Sequence, residues 1–123
     1  MVTTIGKDLA TQIVQTVKDV CGQDVNFIDA SGTIFASTDE KRIGTFHEIG
    51  QKVARTGTPI EVDTDNDYLG THKGINLPIY HNYGLLAVIG ITGAPDEVRK
   101  YAHLAERITK LLIRERELGA LSK

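Results

Sequence analysis

A second cysteine is missing from this chain of 123 residues, so Cys21 has no internal partner and the composition suits a reducing compartment. No apolar run approaches the roughly 18 residues of a spanning helix, and the opening MVTTIGKDLATQ has no apolar leader segment. A cytoplasmic protein without a membrane partner is therefore expected. Basic residues are not in excess either. Fourteen Lys and Arg against sixteen Asp and Glu give a formal net charge of −2, which supplies no general attraction for nucleic acid. Linkers, repeats and low-complexity tracts are lacking, so residues 1–123 read as a single domain with one core. What is present, 41% hydrophobic and 24% charged residues, belongs to an ordinary globular chain.

Catalytic machinery is equally sparse. Cys21 falls on the apolar side of the first periodic segment, where a small hydrophobe is the expected role. Ser31 and Ser37 have no G-x-S-x-G setting, and GITGAP lacks the lysine and spacing of a phosphate loop. In DTDND, Asp63, Asp65 and Asp67 match the first three ligands of a calcium loop. The pattern then fails, because Tyr68 stands at the glycine position and Gly74 at the bidentate glutamate position. His47, His72, His81 and His103 show no metal spacing. The chain is expected to be neither an enzyme nor a metalloprotein, and to carry no cofactor.

The hydropathy pattern is informative. Ile5, Leu9, Ile13, Val17 and Val20 recur at helical spacing, with Thr3 or Thr4 as the expected cap and Gly22 as the stop. DVNFIDASGTIFAST reads as a hairpin turning at ASG, with Val25 and Phe27 on one face. A helical turn at Asp39–Arg42, a break at Gly44 and a helix near Phe46–Arg55 follow, and then PIEVD as an edge strand. KGINLPI and GLLAVIGITG pair through HNYG as an antiparallel hairpin; the unbroken run Leu85–Ile91 implies cover on both faces. The segment from Ala94 to the end reads as one long helix. Pro95 suits its first turn, and Asp96 and Glu97 complement its positive end. Its apolar residues form two lines: Val98, Tyr101, Ala105, Ile108, Leu112, and Leu104, Leu111, Leu118. Two lines imply two buried surfaces, one on the sheet and one on the first helix or a second subunit. The expected fold is α+β: an antiparallel sheet of about five strands, flanked by helices, with long terminal helices, as in PAS-like and Cache-like sensor domains.

Two segments place polar groups where a ligand could meet them. In RIGTFHE, Arg42 and His47 are potential cationic donors on either side of Gly44. In HKGINLP, Lys73 and Asn76 flank Gly74, and they share a face only if the strand bends there. The same strand alternates Ile75, Leu77 and Ile79 with Gly74, Asn76 and Pro78, residues that ordinarily weaken strands. A pocket wall explains that second face. Each residue also has an ordinary alternative: a surface arginine, a core histidine, an edge-strand lysine, a hydrogen-bonded core amide. Together they outline a small anion site.

The motifs LATQIV, VNFIDASG, IFASTDEKRIGTFHEIG, KGINLPI and VIGITGAPDEVRKYAHL, in this order from about Leu9 to about Leu112, give the chain a family resemblance. It resembles the N-terminal sugar-diacid-recognition domain of the carbohydrate diacid regulators, bacterial transcription factors. The resemblance implies a sensor for a small hydroxylated carboxylate or dicarboxylate of the glycerate, glucarate or galactarate type. It also implies a helix-turn-helix output domain, absent from residues 1–123, through which DNA is met, and a homodimer that relays occupancy through the terminal helices. The motif positions that carry the ligand site over are Ser37, Arg42, Gly44, His47, Lys73, Gly74 and Asn76. HNYGLL departs from the polar–glycine turn of the pattern, and Ile49 stands where a small residue is common. Two other classes stay open: a dimerisation module without a specific ligand, and a cofactor-bearing sensor with His47 as a haem ligand.

Overall fold

The computed structural model describes residues 5–121. Three α-helices, α1 (Lys7–Cys21), α2 (Glu48–Thr56) and α3 (Pro95–Leu121), surround five strands. These are β1 (Val25–Ile28), β2 (Ile34–Ser37), β3 (Ile60–Val62), β4 (Gly74–His81) and β5 (Gly84–Thr92). The strands form one antiparallel sheet in the order β2-β1-β5-β4-β3. The continuous apolar strand β5 is central, as its cover on both faces requires.

One sheet face carries the larger core. Val25, Phe27, Ile75, Leu77, Ile79, Ile89 and Ile91 pack there against Leu9, Ala10, Ile13 and Val14 of α1 and Val98, Ala102 and Ala105 of α3. Each fully buried aliphatic side chain of this size contributes about 1.5–3 kcal/mol. The opposite face is covered by α2, through Ile28, Ile34, Ile49, Val53, Val62 and Val88. Ile49 therefore packs in this smaller core.

Several boundaries differ from expectation for local reasons. Thr3 and Thr4 lie outside the described residues, and Gly6 occupies the α1 N-cap without a side-chain cap. Val20, in the last turn of α1, is 66% exposed although it continues the helical repeat. Helix α2 starts two residues later than Phe46, because Phe46 bridges Thr33 and the His47 N–H donates to Gly32 O at 2.8 Å. Those bonds hold the chain extended up to His47, which becomes the cap. On α3 the sheet-facing line is Val98, Ala102, Ala105, Thr109 and Ile113, whereas Tyr101, Ile108 and Leu112 are only half-buried. The β4–β5 turn consists of Asn82 and Tyr83, with φ of +51° and +68°. This is the left-handed geometry of a two-residue hairpin, achieved without glycine at its second position.

Candidate functional site

At one end of the sheet the β1 entry, the β2 exit, the β4 entry and the β5 exit converge. Between them lies a hollow of about 250 Å³, lined by Arg42, Lys73, His72, Asp24, Asp39 and Asp65, with Gln23, Thr92 and Gly93. The convergence follows from strand register. Thr92 N donates to Asp24 O at 3.0 Å, and Gly93 N to Lys73 O at 3.0 Å, which ties three strand ends together.

Arg42 ends the single 3-10 turn Glu40–Arg42 and is only 9% exposed. Its Nη2 donates to Gly70 O, while its Nη1 is buried with no hydrogen-bond partner. Leaving one donor of a buried guanidinium unsatisfied costs on the order of 1–3 kcal/mol. An anion is the natural complement, since a carboxylate accepts from this planar fork in two parallel bonds. Burial pulls the guanidinium below its ordinary pKa, and Asp39 and Asp24 act in the opposite sense.

The carboxylates are held in place by the backbone and by neighbours. Asp24 Oδ1 accepts from Lys18 Nζ at 2.7 Å and from Thr38 Oγ1 at 2.8 Å. The Lys18 bond, opposed by burial and aided by Thr38, holds the Asp24 carboxyl below its ordinary pKa. Asp39 Oδ1 accepts from Lys41 N at 3.2 Å, capping the 3-10 turn. Asp65 Oδ1 accepts from Lys73 N at 2.8 Å and stands 3.9 Å from His72 Nδ1.

Of the seven motif residues, Arg42 and Lys73 line the hollow. Ser37 stands just behind it, accepting from Asp39 N at 3.0 Å and donating to Asn26 Oδ1 at 2.6 Å. Gly74 begins β4 next to Lys73; a Cβ there would fall 2.1 Å from Ile91 O, so a side chain is excluded. Gly44 has φ +87° and open space beside it, and its N–H is already given to Ile34 O at 2.7 Å. Its conformation, rather than a free N–H, is what glycine supplies.

His47 and Asn76 are placed elsewhere. His47 is 3% exposed, and its Nδ1 accepts from Gly50 N at 2.8 Å as the α2 cap. Burial, reinforced by the charges of Arg42 and His72, lowers its pKa to about 4, so the imidazole is neutral rather than the cationic donor expected. Asn76 lies on the α2 side of the sheet. Its Nδ2 donates to Ile60 O at 3.3 Å, and its Oδ1 covers Gly90, where a Cβ would approach to 2.8 Å. Lys73 and Asn76 do not line the hollow together. The glycine, amide and proline face of β4 thus serves two purposes. Gly74 permits close approach to β5 and Asn76 spans to β3, while Pro78 lies beyond the β3 pairing, which ends at Asn76.

The aspartates and His72 are the residues that sequence reasoning missed. Asp65 belongs to the loop rejected as a calcium site, and Asp39 was read only as part of the helical turn Asp39–Arg42. Among the described residues no cluster of three or more His, Cys, Asp or Glu is arranged to hold a metal ion, and no helix is long and apolar enough to cross a membrane. A second, more apolar groove of about 370 Å³ runs between α1 and α3 beside Leu9, Ile13, Val17, Ile108 and Leu112.

The family described as "Putative sugar diacid recognition" matches residues 5–123. The carbohydrate diacid regulator of Escherichia coli strain K12 is 31% identical over 112 residues, which are 89% of this chain and 29% of that protein. The protein YsfB of Bacillus subtilis strain 168 is 31% identical over 109 residues, 87% of this chain and 30% of that protein. The chain therefore spans about 30% of the length of these relatives. Among solved structures, the GAF domain of an Acinetobacter phosphoenolpyruvate-protein phosphotransferase superposes with a TM-score of 0.63 at 9% identity, covering 91% of this chain and 84% of that one. The corresponding GAF domain from Coxiella burnetii gives 0.62 at 15% identity, with 93% and 86% covered. At these identities the likeness concerns fold, and the fold is the PAS-like architecture expected.

Proposed function

Because the chain belongs to the sugar diacid recognition family, we propose that it is the ligand-sensing part of a regulator and that the hollow at Arg42 binds a small hydroxylated carboxylate. The observation that carries this reading is the buried Arg42 Nη1 without a partner, in a residue that lines the hollow. Arg42 takes the carboxylate, Lys73 adds a second positive charge, and Ser37, Gly44 and Gly74 hold these groups in register. His47 caps α2, and Asn76 braces the sheet beneath. In this reading the domain catalyses nothing, needs no cofactor, works in the cytoplasm, and leaves DNA to a separate part of the regulator. The likeness to a protein named as a carbohydrate diacid regulator supports the assignment.

The test is a melting and calorimetric survey of hydroxy acids. At least one acid should raise the melting temperature by mass action. Arg42→Ala should weaken its binding by 2–5 kcal/mol, the usual cost of removing one partner of a buried charge pair, while circular dichroism stays native. A wild-type domain indifferent to every acid sinks the reading.

Occupancy has to reach the rest of a regulator, and α3 offers a route. Leu104, Leu111 and Leu118 are 50%, 65% and 57% exposed, seven residues apart, with half-buried Tyr101 and Ile108 on the same side. This is the a/d spacing of a two-helix seam, so a second copy of the chain is the proposed occupant. A ligand shifts such an assembly only through unequal affinity for its two packings. Leu104→Glu with Leu111→Glu should convert the dimer to monomer in sedimentation velocity; a double variant that still sediments as a dimer excludes this face.

A further inference from the structure

Arg42 Nη1, the donor proposed to meet the ligand, is buried, so an incoming carboxylate meets protein before it meets this nitrogen. Something has to move before the grip can form. The element placed to move is the connection from β3 to β4, whose Gly70 carbonyl accepts from Nη2 of the same guanidinium. Residues 63–70 are all exposed, and among residues 63–73 only Thr71 is buried. Three further bonds hold this segment to the start of α2. Glu48 N donates to Leu69 O at 2.9 Å, Leu69 N to Glu48 Oε1 at 2.8 Å, and Ile49 N to Thr71 Oγ1 at 3.4 Å. A segment with so little buried surface, held by a few hydrogen bonds, opens locally at low cost.

We infer that the Gly70 carbonyl is an internal competitor of the ligand, and that a carboxylate seated on Arg42 displaces it and releases the crossing at residues 69–71 from α2. The inference rests on the proposed site and adds its regulation. Nη2 belongs to both forks of a guanidinium, end-on with Nη1 and side-on with Nε, so a two-point grip reaches it from either side. Arg99 shows the side-on form within this chain, with Nε and Nη2 on the two oxygens of Glu61 at 2.6 and 2.7 Å. A carboxylate brings a full negative charge to the guanidinium, which a neutral carbonyl does not, and is therefore the stronger acceptor. With Nη2 taken, Gly70 O turns to water and the crossing loses its tie to the 3-10 turn Glu40–Arg42. In the free protein only the open fraction is competent to bind, which lowers the apparent affinity.

Amide hydrogen exchange of the chain, read residue by residue by NMR with and without an acid, tests the displacement. The acids are glycerate, glucarate and galactarate, and the probe is whichever raises the melting temperature. Binding ordinarily slows exchange. Here the Glu48 and Leu69 amides should instead exchange about threefold faster or more in the complex, because their mutual bonds open with the crossing. Arg42→Ala without acid should show the same two fast amides and no further response to acid. Glu48→Ala removes the acceptor of Leu69 N and leaves Arg42 intact. Calorimetry should show this variant binding the acid about three- to tenfold more tightly, the scale of losing one modest hydrogen bond that opposes binding. Glu48→Gln keeps an Oε1 acceptor and should fall between Glu48→Ala and the wild type. The inference is overturned, with the site left standing, by an acid that binds while both amides slow or stay unchanged, or that binds Glu48→Ala no more tightly. Wild-type exchange at both amides in Arg42→Ala overturns it equally. No response to any of the three acids overturns both the inference and the site.

Discussion

Gly70→Ala is expected to cost about 2–4 kcal/mol of folding stability, at the upper end of single substitutions. A Cβ at Gly70 would sit 1.8 Å from the carbonyl oxygen of Phe46 and 3.0 Å from its carbon, both backbone atoms that no rotamer change can move. The φ of +63° adds the usual left-handed penalty for a residue with a side chain. The collision falls where the loop before β4 crosses the start of α2. Glu48 N donates to Leu69 O at 2.9 Å, Leu69 N donates to Glu48 Oε1 at 2.8 Å, and Arg42 Nη2 donates to Gly70 O. Relief of the clash requires that crossing to open, so the loss spreads to the Arg42 anchor. Gly44→Ala is the matched comparison, because its φ is +87° but nothing lies within 4 Å of the added carbon. It should cost only the conformational penalty of about 1–2 kcal/mol. Urea denaturation of both variants separates close approach from backbone conformation; equal midpoints would show that the Gly70 crossing yields freely.

The difference between these glycines explains how much of the fold was legible. Local pattern fixes whatever depends on near neighbours: the α1 stripe from Leu9 to Val17, the hairpin around Asp29–Thr33, Pro95 at the head of α3. Asp29 illustrates this, since its Oδ1 accepts from Ser31 N and Thr33 N at 2.9 and 3.0 Å entirely within the turn. The start of α2 was misjudged because a pairing 13 residues away in sequence, Thr33 with Phe46, holds the chain extended. Periodicity also misplaced the sheet-facing line of α3, which shares only Val98 and Ala105 with the first of the two apolar lines. Ala102 and Thr109, small residues outside both of those lines, proved to be fully buried.

The site was legible in part for the same reason. Arg42 and Lys73 stand out as cations beside glycines. Asp24, Asp39 and Asp65 belong to three separate connections, and only the β1–β5–β4 register carries their backbones to one sheet end. No spacing rule encodes that meeting. His47 was read as a potentially cationic donor for a ligand, because its residue type suggests charge, whereas the pairing of its Nδ1 with Gly50 N and its burial make it a neutral cap.

That cap makes the protein sensitive to acid in a defined window. His47 has a folded-state pKa of about 4 against an ordinary 6.5. Between these values the unfolded chain binds the proton and the folded one does not, so stability rises with pH there. Its contribution is complete above about 6.5, falls as pH drops towards 4, and levels off below. The full span corresponds to about 3 kcal/mol on the order-of-magnitude scale of 1.36 kcal/mol per pH unit. Asp24 and Glu61, both held below their ordinary values of 3.8 and 4.5, lose their contributions as pH falls through those values, so they overlap only the bottom of the His47 window. His47→Asn should flatten the window, because asparagine caps a helix with its side-chain oxygen but does not titrate there. Burial is the main cause of the shift, and the charge of Arg42 adds to it, ahead of that of His72. Arg42→Met should accordingly raise the folded-state His47 pKa, so that the loss still begins near 6.5 but levels off at a higher pH and is smaller overall. Urea midpoints measured from pH 4 to 7.5 read both effects. A wild-type curve as flat as that of His47→Asn would mean that the imidazole takes up its proton without leaving the cap, and the neutral-cap account would be lost.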